Sequence, residues 1–281
     1  MSSMVQPPVL GLMLGDCTGI GPEQCARILS DGRLDDAARL VVVGDMRVLE
    51  QGARDAGVEL CMRSSAAPEA IDGSRPGIPV IDLGNLDPAR ITRGRVSPES
   101  GRICGETLTH MIELARHGRI DGIVFAPLNK AALHAGGWRF NDEHQMFAHL
   151  TGHTGFFGEM NVLDGVWMSR VTSHVALRTA LEQITAERIE QALMLADATM
   201  RGAGVEKPRI AVAALNPHAG ESGLFGREEL DVIAPAVARA AARGVACCGP
   251  FPADTIFLKA FAGDYDGARG KPRSSSQALS G

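Results

Sequence analysis

Two histidines and one aspartate stand close to the ends of predicted strands. The segment Asn216-Pro217-His218 directly follows an apolar strand, and His174 ends another apolar strand, in segment 171–174. Asp254, in the segment 249–255, would supply a nearby carboxylate. Ligands of open α/β sheets bind beyond the carboxyl ends of the strands, and neutral imidazole is the commonest metal ligand. The two histidines are therefore compatible with a shared divalent metal, although a surface histidine without a ligand remains an alternative for His218.

Further polar side chains that could bind a ligand lie near the middle of the chain. Asn129 and Lys130 come directly after a predicted strand, where Lys130 would bind a phosphate or a carboxylate, or be an ordinary surface lysine. His144 lies near the start of a predicted helix. His149 and His153 follow it at helical intervals, which is compatible with a metal-binding stripe, but a polar helix face is the preferred interpretation.

A glycine-rich turn joins the first predicted strand to the first predicted helix. Segment 15–23 reads Gly-Asp-Cys-Thr-Gly-Ile-Gly-Pro-Glu. Its glycines allow a tight bend and a close approach to a ligand, and Pro22 suits the first helical turn. The free N–H groups of the helix start would receive an anion. The spacing is not that of the classical dinucleotide-binding turn, so a plain connection remains an alternative.

Strands and helices must alternate to position these residues. The apolar runs predict strands at 8–15, 40–43, 78–83, 120–127, 166–171 and 210–215. Helical spacing predicts helices from residue 22, through 49–53, over 97–117, from Thr185, and through 230–237 as far as Gly244. Asp164-Gly165 predicts a tight hairpin. The pattern predicts an α/β fold with a mainly parallel sheet, helices on both faces and some antiparallel strands.

Composition limits the possible classes of protein. A chain of 281 residues suggests two lobes or one large α/β unit. The net charge of −5 and the scarcity of aromatic residues (nine Phe, two Trp, one Tyr) argue against a nucleic-acid-binding surface. No apolar run approaches the roughly 18 residues of a membrane span, and no secretory signal is evident. Six scattered cysteines predict reduced thiols and a cytoplasmic location.

Five segments, taken together, resemble the 4-hydroxythreonine-4-phosphate dehydrogenase (PdxA) family. They occur in the family's order between residue 9 and about residue 266, at 15–23, 126–130, 172–174, 216–221 and 250–255. Any one of them alone would be weak, whereas five in order make the resemblance specific.

The resemblance implies a two-lobed α/β/α fold similar to that of isocitrate and isopropylmalate dehydrogenases, with a cleft between the lobes, working as a homodimer. It implies NAD- or NADP-linked oxidation, followed by decarboxylation, of a small phosphorylated hydroxy acid such as 4-phosphohydroxy-L-threonine, in pyridoxal phosphate (pyridoxine) biosynthesis. A divalent metal (zinc, magnesium, manganese or cobalt) would hold the substrate oxygens and favour loss of the alcohol proton.

The resemblance also implies roles for individual residues. These are metal ligation for His174 and His218, catalysis for Asp254 and Lys130, and substrate binding for Asn129, His144 and Gln145. Gln145 stands where the family has threonine, and this longer amide changes the shape of the substrate site. Alternatives are therefore a dehydrogenase of a four-carbon sugar-acid phosphate or of an aromatic cis-dihydrodiol carboxylate. Two further alternatives have other grounds: a phosphotransacetylase-like acyltransferase shares the two-lobed architecture, and a non-catalytic remnant would agree with the departure at the end of the chain.

The end of the chain departs from the family pattern. The family's third metal histidine would follow Tyr265-Asp266, but segment 267–281 has three basic residues, no acidic residue and no apolar strand. A frameshift explains this, because codons for 271–275 can encode Asn-His-Asp-Gln in another frame; a truncation is the alternative. We expect residues 1–266 to form one catalytic unit of two discontinuous lobes, with a boundary near 130–140. The aberrant tail 267–281 is expected to be disordered, and activity to be impaired.

Overall fold

The chain divides into two compact units, Met1–His153 and Thr154–Gly281. The computed structural model describes residues 7–65, 76–140 and 142–266. The predicted tail, 267–281, lies outside the described residues. The predicted discontinuity of the lobes and their boundary near residues 130–140 stay a prediction.

Parallel strands and helices alternate in the first unit. Its strands are β1 (Val9–Met13), β2 (Arg39–Gly44), β3 (Met62–Ser65), β4 (Ile78–Asp82) and β5 (Gly122–Phe125). Its helices are α1 (Gly21–Asp31), α2 (Met46–Ala56), α3 (Pro98–Arg116), α4 (Lys130–Ala135) and α5 (Glu143–Thr151), with a 3-10 turn at Pro88–Arg90. The sheet has the order β3-β4-β2-β1-β5, and every neighbouring pair in it runs parallel.

Both faces of this sheet are covered. Successive side chains of a strand point to opposite faces. Val41 and Val43 of β2 belong to a core cluster with Leu108 of α3, whereas Val42 belongs to a second cluster with Leu49 of α2. This explains the near-continuous apolar strands in the sequence, because a parallel sheet buried on two sides has no polar face.

Local signals fix the ends of the helices. Pro22 occupies the first turn of α1, where its missing N–H costs nothing, and Gly32 ends that helix at φ 70°. Ser97 caps α3, because its side-chain oxygen accepts the backbone N–H of Ser100. The predicted helix over 97–117 is confirmed.

The second unit combines a hairpin with a parallel strand pair and helices. Its elements are β6 (Met160–Leu163), β7 (Val166–Ser169), α6 (Leu177–Gln183), α7 (Ala186–Gly202), β8 (Ile210–Ala213), a π-helical turn (Glu229–Ile233), α8 (Ala234–Ala242), β9 (Cys247–Phe251) and α9 (Ile256–Ala262). β6 and β7 are antiparallel, and β8 and β9 are parallel. The expected α/β class, mainly parallel with an antiparallel part, is confirmed.

Two predictions of local structure in this unit are confirmed. Asp164 and Gly165 form the hairpin turn with φ of 48° and 79°, the positive values that a two-residue hairpin connection requires. Thr185 caps α7 through its side chain. The helix buries the apolar face that its spacing predicted, made of Ile189, Leu193, Ala196 and Met200.

Other boundaries differ from the predicted ones. β7 ends at Ser169 rather than residue 171, and β8 ends at Ala213 rather than residue 215. Leu230, predicted to line a helix with the buried Ile233, is 46% exposed. The reason is the π-helical turn, whose wider spacing shifts the residues out of the 3.6-residue period.

No helix within the described residues is both long enough and apolar enough to cross a lipid bilayer.

Candidate active site

The carboxyl ends of β8 and β9 bring two predicted site segments together. The backbone N–H of Ala253 donates to the carbonyl oxygen of Asn216, at 3.5 Å. His218 lies two residues beyond Asn216 and Asp254 one residue beyond Ala253, and both are exposed. The structure therefore places these two residues on adjacent loops, at the end of the strands where ligands of α/β folds bind.

The loop that carries His218 has an unusual backbone. The side-chain oxygen of Asn216 accepts the N–H groups of His218 (3.2 Å) and Gly220 (2.9 Å), which closes the turn. The four consecutive residues 219–222 have φ between 49° and 69°. Each non-glycine residue in this region costs about 1–2 kcal/mol. Such backbone persists only where surrounding contacts hold it, and it concentrates at functional sites.

His174 lies in the connection between β7 and α6. It is exposed, its φ is 54°, and it stands five residues past the last residue of β7, Ser169. The expectation that His174 ends a strand is therefore wrong. Val171 packs against the core without pairing in the sheet, and Arg188 Nε donates to its carbonyl oxygen at 2.6 Å, so this apolar stretch is a half-buried loop. Ser173, directly before His174, has a buried Oγ with no hydrogen-bond partner in the described part of the chain.

The donor types of the predicted metal site suit a divalent cation, because imidazole and carboxylate bind zinc, manganese and cobalt. Within residues 7–65, 76–140 and 142–266, no group of three or more His, Cys, Asp or Glu side chains is arranged to hold a metal ion. A cation shared by His174 and His218 beside Asp254 therefore stays a prediction.

In the first unit, two loops meet where the strand order reverses. The chain leaves β1 toward β2 on one side, while β5 pairs with β1 on the other, so the crevice between β1 and β5 is the topological switch point that ligands occupy in such sheets. There the N–H of Asp16 donates to the carbonyl oxygen of Pro127 at 2.9 Å. Gly15 has φ 73°, and a Cβ at this position would lie 2.6 Å from the same oxygen. Only glycine allows this approach.

Asn129 and Lys130 follow β5 at this switch point. The side-chain oxygen of Asn129 accepts the N–H of Ala132 at 3.0 Å and so caps α4. Lys130 is the first residue of α4, and it is exposed. The cap fixes the direction in which the chain leaves the sheet, and Lys130 is accessible to an anionic ligand.

His144 and Gln145 lie in the first turn of α5, and both are half-buried. The Asp142 carboxylate caps this helix by accepting the N–H of Gln145 at 2.8 Å, and the same Oδ1 lies 3.7 Å from Nδ1 of His144.

The later histidines do not continue a stripe along α5. The helix ends at Thr151, and Gly152 follows with φ 67°, so His153 lies beyond the helix. His149 is exposed, with its ring centroid 5.3 Å from that of Phe140. The expectation that both histidines lie on the helix is therefore confirmed for His149 and wrong for His153.

Asp16 is a buried carboxylate to which sequence reasoning gave no role. It is 5% exposed, and its Oδ1 accepts the Oγ–H of Ser100 (2.6 Å) and both the N–H (3.0 Å) and the Oγ1–H (2.9 Å) of Thr18. These bonds tie the glycine-rich turn to α3. In the sequence, only the position of this acidic residue inside a glycine-rich turn could have indicated its structural role.

The neighbouring thiol is not a nucleophile at neutral pH. Burial raises the pKa of Cys17 to about 11, although the hydrogen bond with Ser100 opposes the shift. The two side-chain atoms, Sγ and Oγ, are 3.0 Å apart. The nucleophilic species of a cysteine is its thiolate, so Cys17 is a packing residue near neutral pH.

Glu229 is a second buried carboxylate that sequence reasoning missed. It is 4% exposed, and its Oε1 accepts the backbone N–H of Leu215 at 3.0 Å. The sequence does not distinguish Glu229 from Glu228, because the two adjacent residues are chemically identical. Only the structure shows that Glu228 is exposed and Glu229 is buried.

Comparison with known proteins shows which family this chain resembles. A family profile described as "Pyridoxal phosphate biosynthetic protein PdxA" matches residues 36–268. A protein of Pseudomonas aeruginosa named "Putative 4-hydroxythreonine-4-phosphate dehydrogenase 2" is 45% identical over 90% of this chain and 75% of its own. The D-threonate 4-phosphate dehydrogenase of Cupriavidus necator is 40% identical over 92% of this chain and 78% of its own.

A solved structure agrees with the sequence matches. The crystal structure of 4-hydroxythreonine-4-phosphate dehydrogenase from Klebsiella pneumoniae superposes with a TM-score of 0.82 and 35% identity, over 92% of this chain and 79% of that chain. The fold and these relatives define the class as an α/β dehydrogenase, an oxidoreductase. Within that class, the chain belongs to the PdxA family, which confirms the resemblance in its sequence.

Proposed function

We propose that this protein oxidises a small phosphorylated hydroxy acid with NAD or NADP as hydride acceptor, in a metal-dependent reaction followed by decarboxylation. The observation that supports the proposal is the backbone bond between the loops that carry His218 and Asp254, at the carboxyl ends of β8 and β9, in a chain whose relatives are dehydrogenases. Loops at this end of parallel strands are where such enzymes bind ligands.

Two substrates are supported by the names of the relatives. The first is 4-phosphohydroxy-L-threonine, after the relative with 45% identity, and it would give the protein a role in pyridoxal phosphate biosynthesis. The second is D-threonate 4-phosphate, a four-carbon sugar-acid phosphate, after relatives with up to 40% identity. The two differ in the group beside the carboxylate, an amine or a hydroxyl, and Gln145 is the residue we assign to this distinction.

We assign the oxidation to Asp254, His218 and His174. When bound, the nicotinamide cofactor would accept the hydride of the carbinol carbon, and a base of this chain would accept the proton of the hydroxyl group. Asp254 takes that proton, since its carboxylate is exposed beside the His218 loop. His218 and His174 would hold the divalent cation. When bound, this cation would stabilise the negative charge that develops on the substrate oxygen.

We assign binding of the anionic substrate to Lys130, Asn129, His144 and Gln145. Lys130 is exposed at the start of α4, where its ammonium would neutralise a carboxylate or phosphate. After loss of carbon dioxide, the electron pair left on the substrate carbon takes a proton, which we assign to Lys130. Asn129, His144 and Gln145 would orient the substrate by hydrogen bonds.

We further propose a homodimer in the cytoplasm. Six free cysteines, two of them exposed, suit a reducing compartment.

A direct assay tests the proposal. The purified chain would be incubated with NAD or NADP and each of the two phosphorylated acids, with added divalent metal or with a chelator, and reduced nicotinamide would be followed. We expect reduction only with a phosphorylated acid and only with metal, with unphosphorylated 4-hydroxythreonine as the control. No reduction with any hydroxy acid, together with acetyl transfer from acetyl phosphate to coenzyme A, would identify an acyltransferase instead.

A further inference from the structure

The buried carboxylate of Glu229 is not used by the proposed chemistry. It is 4% exposed, and its Oε2 has no hydrogen-bond partner among the residues that the structure describes. Burying a carboxylate oxygen without a partner costs free energy. An unpartnered buried group of this kind calls for a reason other than stability.

The carboxylate lies between the two ends of a short loop. At one end, Oε1 accepts the N–H of Leu215 at 3.0 Å, just past the last residue of β8. At the other end, Oε2 packs on Gly220, where a Cβ would approach it to 2.9 Å. Glu229 thus contacts both ends of the loop 215–220, and His218 lies inside that loop.

The loop depends on such a contact. Asn216 bonds to His218 and Gly220 from within the loop, but both partners of these bonds move with it. The left-handed run 219–222 is unfavourable by itself. The N–H of Ala253 joins the loop to the neighbouring Asp254 loop at 3.5 Å. The shorter bond from Leu215 to Glu229, at 3.0 Å, joins it to the π-helical turn.

The element that carries Glu229 is anchored in the core. The N–H of Ala234 donates to the carbonyl oxygen of Glu229 and closes the π-helical turn. Ile233 in the same turn is 4% exposed and belongs to the core cluster built around Ile189 and Ile210. Single π-helical turns of this kind occur frequently at functional sites.

We infer that Glu229 is a positioning residue: its carboxylate fixes the loop 215–220 and thereby holds His218 beside the Asp254 loop. The inference deepens the proposed function and rests on it for the role of His218. The effect is carried by hydrogen-bond acceptance at Leu215, so an amide oxygen in the same place would serve as well as a carboxylate.

Three substitutions separate positioning from packing. Glu229→Leu keeps the volume and removes the acceptor, whereas Glu229→Gln keeps the acceptor and removes the charge. Glu228→Gln changes the adjacent exposed glutamate and serves as the control. Hydrogen–deuterium exchange of the amides of Leu215 and Gly220 reports the loop without any turnover. The kinetic constants kcat and KM are measured on the same preparations.

We expect Glu229→Leu to accelerate exchange at Leu215 by about tenfold or more, and to lower kcat by about 10–100-fold with little change in KM, as the loss of a group that orients a metal ligand does. Glu229→Gln should retain both values within about threefold, the rescue that a hydrogen-bond acceptor alone provides. If Glu229→Leu does not fold, the variant Gly220→Ala is measured instead. The methyl group of the new alanine would displace Oε2 of Glu229. This variant should accelerate exchange at Leu215 in the same way.

Unchanged exchange at Leu215 in Glu229→Leu, or equal losses in the Leu and Gln variants, would overturn the inference. If the parent protein oxidises none of the proposed substrates, the proposed function fails while the exchange result still decides the role of Glu229.

Discussion

The backbone N–H of Ala253 donates to the carbonyl oxygen of Asn216, and this bond joins the loop that carries Asp254 to the loop that carries His218. β8 and β9 run parallel, so both loops leave the sheet at its carboxyl end. An imidazole and a carboxylate on adjacent loops can share one substrate oxygen and its proton. This relationship is what the proposed oxidation requires of the second unit.

Gly15 makes the close approach of two loops in the first unit possible. We expect Gly15→Ala to lower the free energy of unfolding by about 3 kcal/mol, because it adds left-handed backbone strain to a steric clash. The added Cβ would lie 2.6 Å from the carbonyl oxygen of Pro127. Urea denaturation of the variant and the parent measures the difference.

Gly118 offers a matched control for that substitution. It has φ 65°, and a Cβ there would meet no atom within 4 Å. Gly118→Ala should therefore cost only the backbone strain, about 1 kcal/mol. Equal losses from the two substitutions would contradict the claim that contact with Pro127 excludes a side chain at position 15.

The buried thiol of Cys17 predicts a loss of stability in alkali. Burial raises its pKa in the folded state from 9.0 to about 11, so between these values the unfolded chain has lost a proton that the folded chain retains. Stability that is fully present below pH 9 is therefore lost as the pH rises toward 11. In Cys17→Ala, the fall in unfolding free energy between pH 9 and pH 11 should be smaller than in the parent. A parallel fall in both proteins would show that the thiol does not titrate this way.

Gln145 is expected to influence which phosphorylated acid is preferred. Replacing it by the threonine implied by the family resemblance, Gln145→Thr, should shift the ratio of kcat/KM toward 4-phosphohydroxy-L-threonine by about tenfold, the effect of one hydrogen bond gained or lost. The exposed Gln191 of α7 provides the control variant Gln191→Thr. An unchanged ratio in Gln145→Thr would remove Gln145 from the substrate site.

Elements with strong local signals could be predicted from the sequence. α7 has a capping threonine and four apolar residues at helical spacing, and the β6–β7 hairpin has an Asp-Gly turn. In both cases the residues that decide the structure lie within a few positions of one another. The order of the five strands in the first unit, in contrast, depends on pairings between distant segments.

β9 shows why other elements were missed. Its sequence, Cys-Cys-Gly-Pro-Phe, contains the two residues that weaken a strand. It becomes a strand through pairing with β8, from Ile210 with Cys247 to Ala213 with Phe251. That pairing depends on contacts more than thirty residues apart, which a window along the sequence does not contain.

The candidate site divides in the same way. The segments of His218 and Asp254 could be found from their place after apolar strands and from the family resemblance. The role of Glu229 could not be found in this way, because its hydrogen bond joins it to the N–H of Leu215, fourteen residues away. The apparent strand before His174 was misleading, because Val171 is partly buried in the core without being part of a strand.

The central claim is that this chain is a dehydrogenase whose oxidation depends on His218. The most direct test compares the rate of substrate-dependent NAD or NADP reduction in the parent, in His218→Ala and in His117→Ala, a change of an exposed histidine at the end of α3. We predict at least about a 100-fold lower kcat/KM in His218→Ala, as expected for loss of a metal ligand rather than of a group behind it, and an unchanged value in His117→Ala. Parental turnover in His218→Ala would contradict the account.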